Sequence, residues 1–177
     1  MCVSLCLGHM AQFRSIVVAG TFWPIHKGHR AIMERAFNLA SEVFIGLTSD
    51  SMTRSKELSE SIPPYGERKR RLIAYLAERG YLQRAHIFRI EDEYGFAADF
   101  PSLEAIVVTP ETLGNAQKIN RRRVSRGMKP LELVVQEMVL AENGKPISST
   151  RIRRGEIDPE GRVLTGPGQS SPSRPRF

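Results

Sequence analysis

Two short stretches hold residue types suited to phosphate chemistry. Thr21-Phe22-Trp23-Pro24-Ile25-His26-Lys27-Gly28-His29 follows the β-branched run Ser15 to Gly20 and leads into a helical pattern. His29 therefore stands at a helix opening. Unpaired backbone N–H groups and the positive dipole end gather there, so a phosphate can dock, and Gly28 lets backbone approach it without a side chain in the way. His26 and His29 can donate hydrogen bonds to phosphoryl oxygens, most usefully as charge builds in a pentavalent transition state. The competing reading is two packed or solvated histidines, against which the strand, glycine and helix context counts.

Near the other end, Pro146-Ile147-Ser148-Ser149-Thr150-Arg151-Ile152-Arg153 places three hydroxyls at a helix start, just before arginines. One serine would satisfy a plain N-cap. Three hydroxyls plus Arg151 exceed that need and fit a second anion site for a polyphosphate tail. In a parallel sheet two such sites, distant in sequence, can converge, and ATP would be held at its α-phosphate and at its pyrophosphate end.

The elements between them supply such a sheet. SIVVAG (15–20), VFIGLT (43–48), HIFRI (86–90), AIVVT (105–109) and LELVV (131–135) read as strands. Helical spacing covers Gly28 to Ser41, a helix entered through Pro63 and Pro64 that runs to about Arg79, one from Pro110 to about Arg126, and a last start at Ser148 to Arg154. Strands alternating with helices predict an α/β fold, a Rossmann-like doubly wound parallel sheet of about five strands with helices on both faces. Ligands in such sheets gather at the carboxyl ends of the strands. The acidic, aromatic stretch Glu91 to Leu103 reads as a functional loop or short helix. Residues 1–12 are expected to be a flexible extension, 13–164 the folded domain, and 165–177, rich in Gly, Pro and Ser, a disordered tail.

Composition narrows the partners. The 177 residues carry 26 Lys plus Arg against 19 Asp plus Glu, a net charge of +7 that favours an anionic partner. The charge lies in islands at 68–71, 118–126 and 151–154; islands at helix starts suit discrete phosphates and a continuous basic tail suits nucleic acid, and composition leaves both open beside plain solvated helix faces. No stretch approaches the ~20 apolar residues of a membrane span, so a cytoplasmic protein without a membrane partner is expected. Cys2 and Cys6 precede the first strand and cannot staple a core. Together with His9 they offer a zinc site with only three ligands, a minor alternative.

GTFWPIHKGH resembles the H-x-G-H signature of the nucleotidylyltransferase superfamily, and ISSTRIR resembles its second signature. Residues 107–135, with Glu-Thr, then Ile-Asn-x-x-Arg, then Gly-x-x-Pro-Leu, are similar to phosphopantetheine adenylyltransferases of the archaeal and eukaryotic type, as is ISSTRIRRGEID at 147–158. The resemblance spans about Ser15 to Leu164. It implies transfer of AMP from ATP to 4′-phosphopantetheine, giving dephospho-coenzyme A and pyrophosphate, with Mg²⁺ bound to the ATP. Carried over by residue, His26, His29 and Arg151 would be catalytic. Gly20, Thr21, Phe22, Gly28, Glu111, Ser148, Ser149 and Thr150 would complete the ATP site, and Thr21, Asn120 and Arg123 would meet the acceptor; Lys56 and Arg68 are acceptor candidates from position alone, with ordinary surface cations as the competing reading. Thr112 belongs to the same middle signature.

One residue departs from the pattern. The superfamily usually has Asp where this chain has Trp23, and an indole cannot help place Mg²⁺ or its water shell. The metal would then be carried by ATP oxygens and water, with Trp23 filling space or stacking on a substrate group. The alternatives to the expected enzyme are another nucleotidylyltransferase, such as one acting on nicotinamide mononucleotide, and a nonenzymatic basic protein that binds nucleotides or nucleic acid.

Overall fold

The computed structural model describes residues 11–164. Cys2, Cys6, His9, the tail at 165–177 and all but Ala11 and Gln12 of the expected extension lie outside the described residues. Strand β1 (Phe13–Gly20) leads to helix α1 (Lys27–Leu39), β2 (Ala40–Thr48), the short α2 (Asp50–Thr53), α3 (Tyr65–Glu78) and β3 (Ala85–Ile90). A 3₁₀ turn at Gly95–Ala98 precedes β4 (Ala105–Val108), α4 (Leu113–Ser125), β5 (Glu132–Val135) and α5 (Ser149–Arg153). Among the described residues no helix is long and apolar enough to cross a membrane.

The five strands lie in the order β3-β2-β1-β4-β5, with every neighbouring pair parallel. The chain winds outward from β1 through β2 to β3, then returns to the other side of β1 for β4 and β5. Order therefore reverses between β1 and β4, where open α/β sheets place their ligands. Pairing changes there as well. β1 follows β2 from Phe13↔Ala40 up to Gly20↔Leu47, but meets β4 only at Ile16↔Ala105 and Val17↔Ile106. Beyond Val17 the two strands share no ladder, and a crevice opens between Ala19–Gly20 and Val107.

Alternation along the strands sorts side chains to two faces. Ile16, Val18, Val43, Ile45 and Leu47 pack with Met33, Ala36 and Phe37 of α1 and Leu72 and Leu76 of α3. Val17, Ile106 and Val108 pack on the opposite face with Ala116 and Ile119 of α4 and with Ala97 and Ala98. A smaller cluster of Ala141, Ile147 and Ile157, joined by Ile152, seats α5. Boundaries differ from the sequence reading by a few residues. Ala40 to Glu42 join β2 because Phe13↔Ala40 begins the ladder, and α4 starts only after Thr109 and Thr112 bond each other in a turn.

Three cations and amides expected at the acceptor site turn out to hold the fold. Arg123 is fully buried; its Nε donates to Lys129 O at 2.8 Å and its Nη1 to Ala97 O at 2.7 Å and Phe100 O at 2.8 Å. It ties the segment before β4 to the loop after α4 by satisfying carbonyls that have no ladder partner. Asn120 spends both ends of its amide on Leu131, each at 2.8 Å, pinning the start of β5. Arg68, also fully buried, donates to Pro63 O, Thr48 O and the Asp50 carboxylate. Spacing puts these residues in the right segments, but their direction is set by unsatisfied backbone carbonyls rather than by a ligand.

Arg123→Met strands those carbonyls in the interior. A loss of ~3 kcal/mol follows, about a 10 °C drop in melting temperature for a chain of this size. A thermal melt of the variant checks it, and the steady-state constants at low temperature should stay near those of the parent.

Candidate active site

A cavity of about 350 Å³ occupies the crevice between β1 and β4. Its wall includes Gly20, Thr21, His26, Gly28, His29, Lys56, Glu111, Ser148, Ser149 and Thr150, so the two histidines and the three hydroxyls meet in one place. A second cavity, about 290 Å³, shares Ala19, Gly20, Lys56, Val107 and Thr112 with the first. It continues between the ends of β2 and β3, the turn at 92–97, and the face of α4 carrying Thr112, Asn115, Ala116 and Ile119.

The start of α1 differs from the sequence reading in its physics. His26 is the N-cap, and its Nδ1 accepts from Gly28 N at 3.1 Å and His29 N at 3.4 Å. Lys27 N donates to Pro159 O at 3.0 Å. The first backbone N–H groups are therefore occupied, and an anion meets imidazoles instead of free amides. Gly28 suits this cap, since a Cβ there would lie 3.1 Å from His26 Cε1 and press on the capping ring. These contacts also set the tautomers. With Nδ1 accepting, neutral His26 carries its proton on Nε2. His29 has Nδ1 3.2 Å from Pro24 O, a contact that needs the proton on Nδ1 and leaves Nε2 as a lone pair. The rings stack at 3.8 Å. Burial, then the nearby Arg30 charge, lowers the His26 pKa to about 4, and burial with His26 beside it holds His29 well below the ordinary histidine value.

Phe22 was expected at the ATP site, but its side chain is buried, 1% exposed, and meets His29 edge-on at 5.1 Å from beneath. Arg151 does not line the cavity either. It donates to Glu156 at 2.9 Å and to Pro146 O at 2.7 Å, fastening α5 to its flanking loops. Arg153 lines the cavity in its stead, bonded to Thr150 Oγ1 at 3.2 Å and Glu57 O at 3.0 Å. Helical spacing carries this signal, because Thr150 and Arg153 are three apart and share a face that Arg151 does not. Ser148 is the N-cap, its Oγ accepting from Arg151 N. Thr109, Glu57 and the run Glu137-Met138-Val139 also line the cavity. The last three follow β5 at the sheet's carboxyl edge, a position that topology alone identifies.

Lys56 lines both cavities, and burial together with Arg153 and Arg68 lowers its ammonium below the ordinary lysine value. Cations crowding a shared wall favour an anion bound there. Arg68, Asn120 and Arg123 line neither cavity. Trp23 is likewise absent from both. It sits in a separate groove, its Nε1 donating to Ser61 O at 3.0 Å and the Arg71 guanidinium lying 5.1 Å over its ring, which removes the stacking of Trp23 on a substrate in the two cavities.

Because folding lowers the histidine pKa values, the unfolded chain binds more protons below its own value near 6.5. The contribution to stability is complete above that pH and is lost as pH falls from about 6.5 towards about 4. The melting temperature should drop across that window. His26→Asn keeps an N-cap acceptor without a titrating ring, so the acid-side drop should shrink while stability at pH 7.5 changes by less than ~1 kcal/mol.

Comparison with known proteins agrees with this geometry. The cytidylyltransferase-like family matches residues 17–155. A phosphopantetheine adenylyltransferase of Thermococcus kodakarensis is 43% identical over 159 residues, covering 90% of this chain and 96% of the relative. One from Thermococcus gammatolerans is 45% identical over 152 residues, covering 86% and 95%. Among solved structures, an Archaeoglobus fulgidus protein of unknown function superposes with a TM-score of 0.61 at 32% identity, over 71% of this chain and 99% of that one. A bifunctional NMN adenylyltransferase/ADP ribose pyrophosphatase from Francisella tularensis shares the fold, with a TM-score of 0.55 at 16% identity over 80% of this chain and 41% of that one. The chain belongs to the cytidylyltransferase-like family and, within it, to the phosphopantetheine adenylyltransferases.

Proposed function

We propose that the protein transfers AMP from ATP to 4′-phosphopantetheine, giving dephospho-coenzyme A and pyrophosphate. The observation that carries this reading is the pair of joined cavities: one walled by residues of both phosphate signatures, and a second between strand ends and α4, with Lys56 on their shared wall. ATP occupies the first, its β- and γ-phosphates towards Ser149, Thr150 and Arg153. The pantetheine arm occupies the second, which puts the acceptor phosphate at the junction with Thr21 and Lys56. An acceptor phosphate oxygen attacks the α-phosphorus in line, the bond from that phosphorus to the bridging oxygen breaks, and pyrophosphate leaves. The acceptor is already an anion, so no protein nucleophile or obligatory base is required; catalysis lies in positioning and charge stabilisation.

Mg²⁺ enters as part of the Mg·ATP substrate. Among the described residues no three His, Cys, Asp or Glu side chains are gathered to hold a metal, and Trp23 supplies no oxygen. The nucleotide's own phosphates and water are the donors that suit it. The cationic wall of Lys56 and Arg153 adds charge compensation at the reacting phosphates.

Pyrophosphate release from Mg·ATP tests the reading with phosphopantetheine, nicotinamide mononucleotide, flavin mononucleotide and glycerol 3-phosphate as acceptors. Turnover should be confined to phosphopantetheine; turnover only with nicotinamide mononucleotide overturns the substrate assignment. In the same assay His29→Ala should lower kcat about a hundredfold with a smaller change in ATP affinity, as for a contact that strengthens in the transition state. The His29 lone pair at Nε2 also has a consequence for binding. A triphosphate favours the imidazolium, so ATP binding at pH 7 should take up about one proton, read as a calorimetric heat that varies with buffer ionisation enthalpy, and His29→Ala should abolish most of that uptake.

A further inference from the structure

We propose that Thr48 is a positioning residue for the transfer: with Arg68 behind it, it holds the Thr21 hydroxyl as a donor aimed at the phosphate junction. The inference rests on the adenylyl-transfer reading above. Arg68 can only donate hydrogen bonds, whereas a threonine hydroxyl has one hydrogen and two lone pairs. Arg68 Nη1 bonds Thr48 O at 2.8 Å and reaches Thr48 Oγ1 at 3.4 Å. The Thr48 hydroxyl hydrogen goes to Thr21 Oγ1 at 3.1 Å. Thr21 Oγ1 thus receives a hydrogen from its neighbour, and its own hydrogen is left for a ligand. Thr21 lines the first cavity and Thr48 the second, so the bonded pair spans the wall where ATP and acceptor meet.

The direction of this chain matters. Each hydroxyl accepts from a donor nearer the cation, which polarises the next bond outward and strengthens the last donor. Arg68 is fully buried, where a charge is felt more strongly than in water. Its partner Asp50, at 2.9 Å, has a side chain that is 47% exposed and well solvated, so the two charges are unequally screened. Burial, then Arg153 and then Arg68, lowers the Lys56 ammonium on the same wall. Thr48 itself is only 7% exposed at the end of β2, where valine would fill the same space. Packing alone therefore gives no reason for a hydroxyl at this position.

The test compares kcat and KM for Thr48→Val, Thr48→Ser, Thr21→Val and the Thr21→Val/Thr48→Val pair, with Mg·ATP and phosphopantetheine. Thr48→Val should lose about tenfold in kcat, a fraction of the full oxyanion-donor effect, with KM for ATP within about twofold. Thr48→Ser should restore the rate. The double variant should be no slower than Thr21→Val alone, since Thr48 acts only through Thr21. Thr48→Ala should give the same split if valine disturbs the strand end. A parental kcat in Thr48→Val, a serine variant as slow as valine, or losses that multiply in the double variant overturn the inference. A parent inactive with phosphopantetheine overturns the underlying reading and this inference with it, whereas an active parent with unaffected Thr48 variants overturns this inference alone.

Discussion

The site exists because β1 and β4 part company. β1 is the central strand, laddered to β2 along most of its length, yet it shares only Ile16 and Val17 with β4. A fully zipped β1–β4 pair would put backbone hydrogen bonds where the crevice now lies. The early end of that ladder exposes Gly20 and Thr21 on one side and Val107 and Thr109 on the other. The segments that line the cavity are hung from this opening: the turn into α1, the start of α4, the segment after β5, and α5.

Around the opening, polar groups fall into two populations that composition does not separate. One is consumed by the backbone. Arg123, Asn120, Arg68 and Arg151 donate to carbonyls of turns and strand ends, and Asn120 and Arg68 carry further bonds that lock segments together. A buried guanidinium can serve several carbonyls at once, which suits it to irregular chain where no ladder is available. The other population, Lys56, Arg153, Ser149, Thr150 and the two histidines, lies along the cavity wall. The first group holds the second in register, and Arg68 belongs to both stories because the strand end it braces carries Thr48 and Thr21.

The histidine pair shows how backbone contacts determine chemistry. His26 spends Nδ1 on capping α1, and His29 directs Nδ1 to Pro24 O, so two like residues present opposite faces of their acid–base character. Burial, with Arg30 near His26 and His26 beside His29, lowers both pKa values and favours the neutral rings near pH 7 in the free protein.

By itself the sequence determined the alternation of strands and helices and the parallel sheet, because hydrophobic periodicity and helix-start chemistry are local properties of the chain, and a parallel sheet allows HKGH and ISSTRIR to converge. The segment 137–139 carried no such local signal and reaches the cavity through topology. Only the tertiary structure decided which side chains in these segments face the crevice. Arg151 and Arg153 differ by two positions, and the choice between them depends on Glu156 and the Pro146 carbonyl on one side and the cavity on the other. Trp23 reads as an active-site substitution by position, yet Ser61 and Arg71 draw it into a different groove. Arg123 reads as an acceptor-pocket residue by motif, yet four backbone carbonyls claim it. The partners of Trp23 and most of those of Arg123 are remote in sequence, while those of Arg151 lie five residues to either side; in each case a side chain's direction follows from polar groups that are positioned only once the chain has folded.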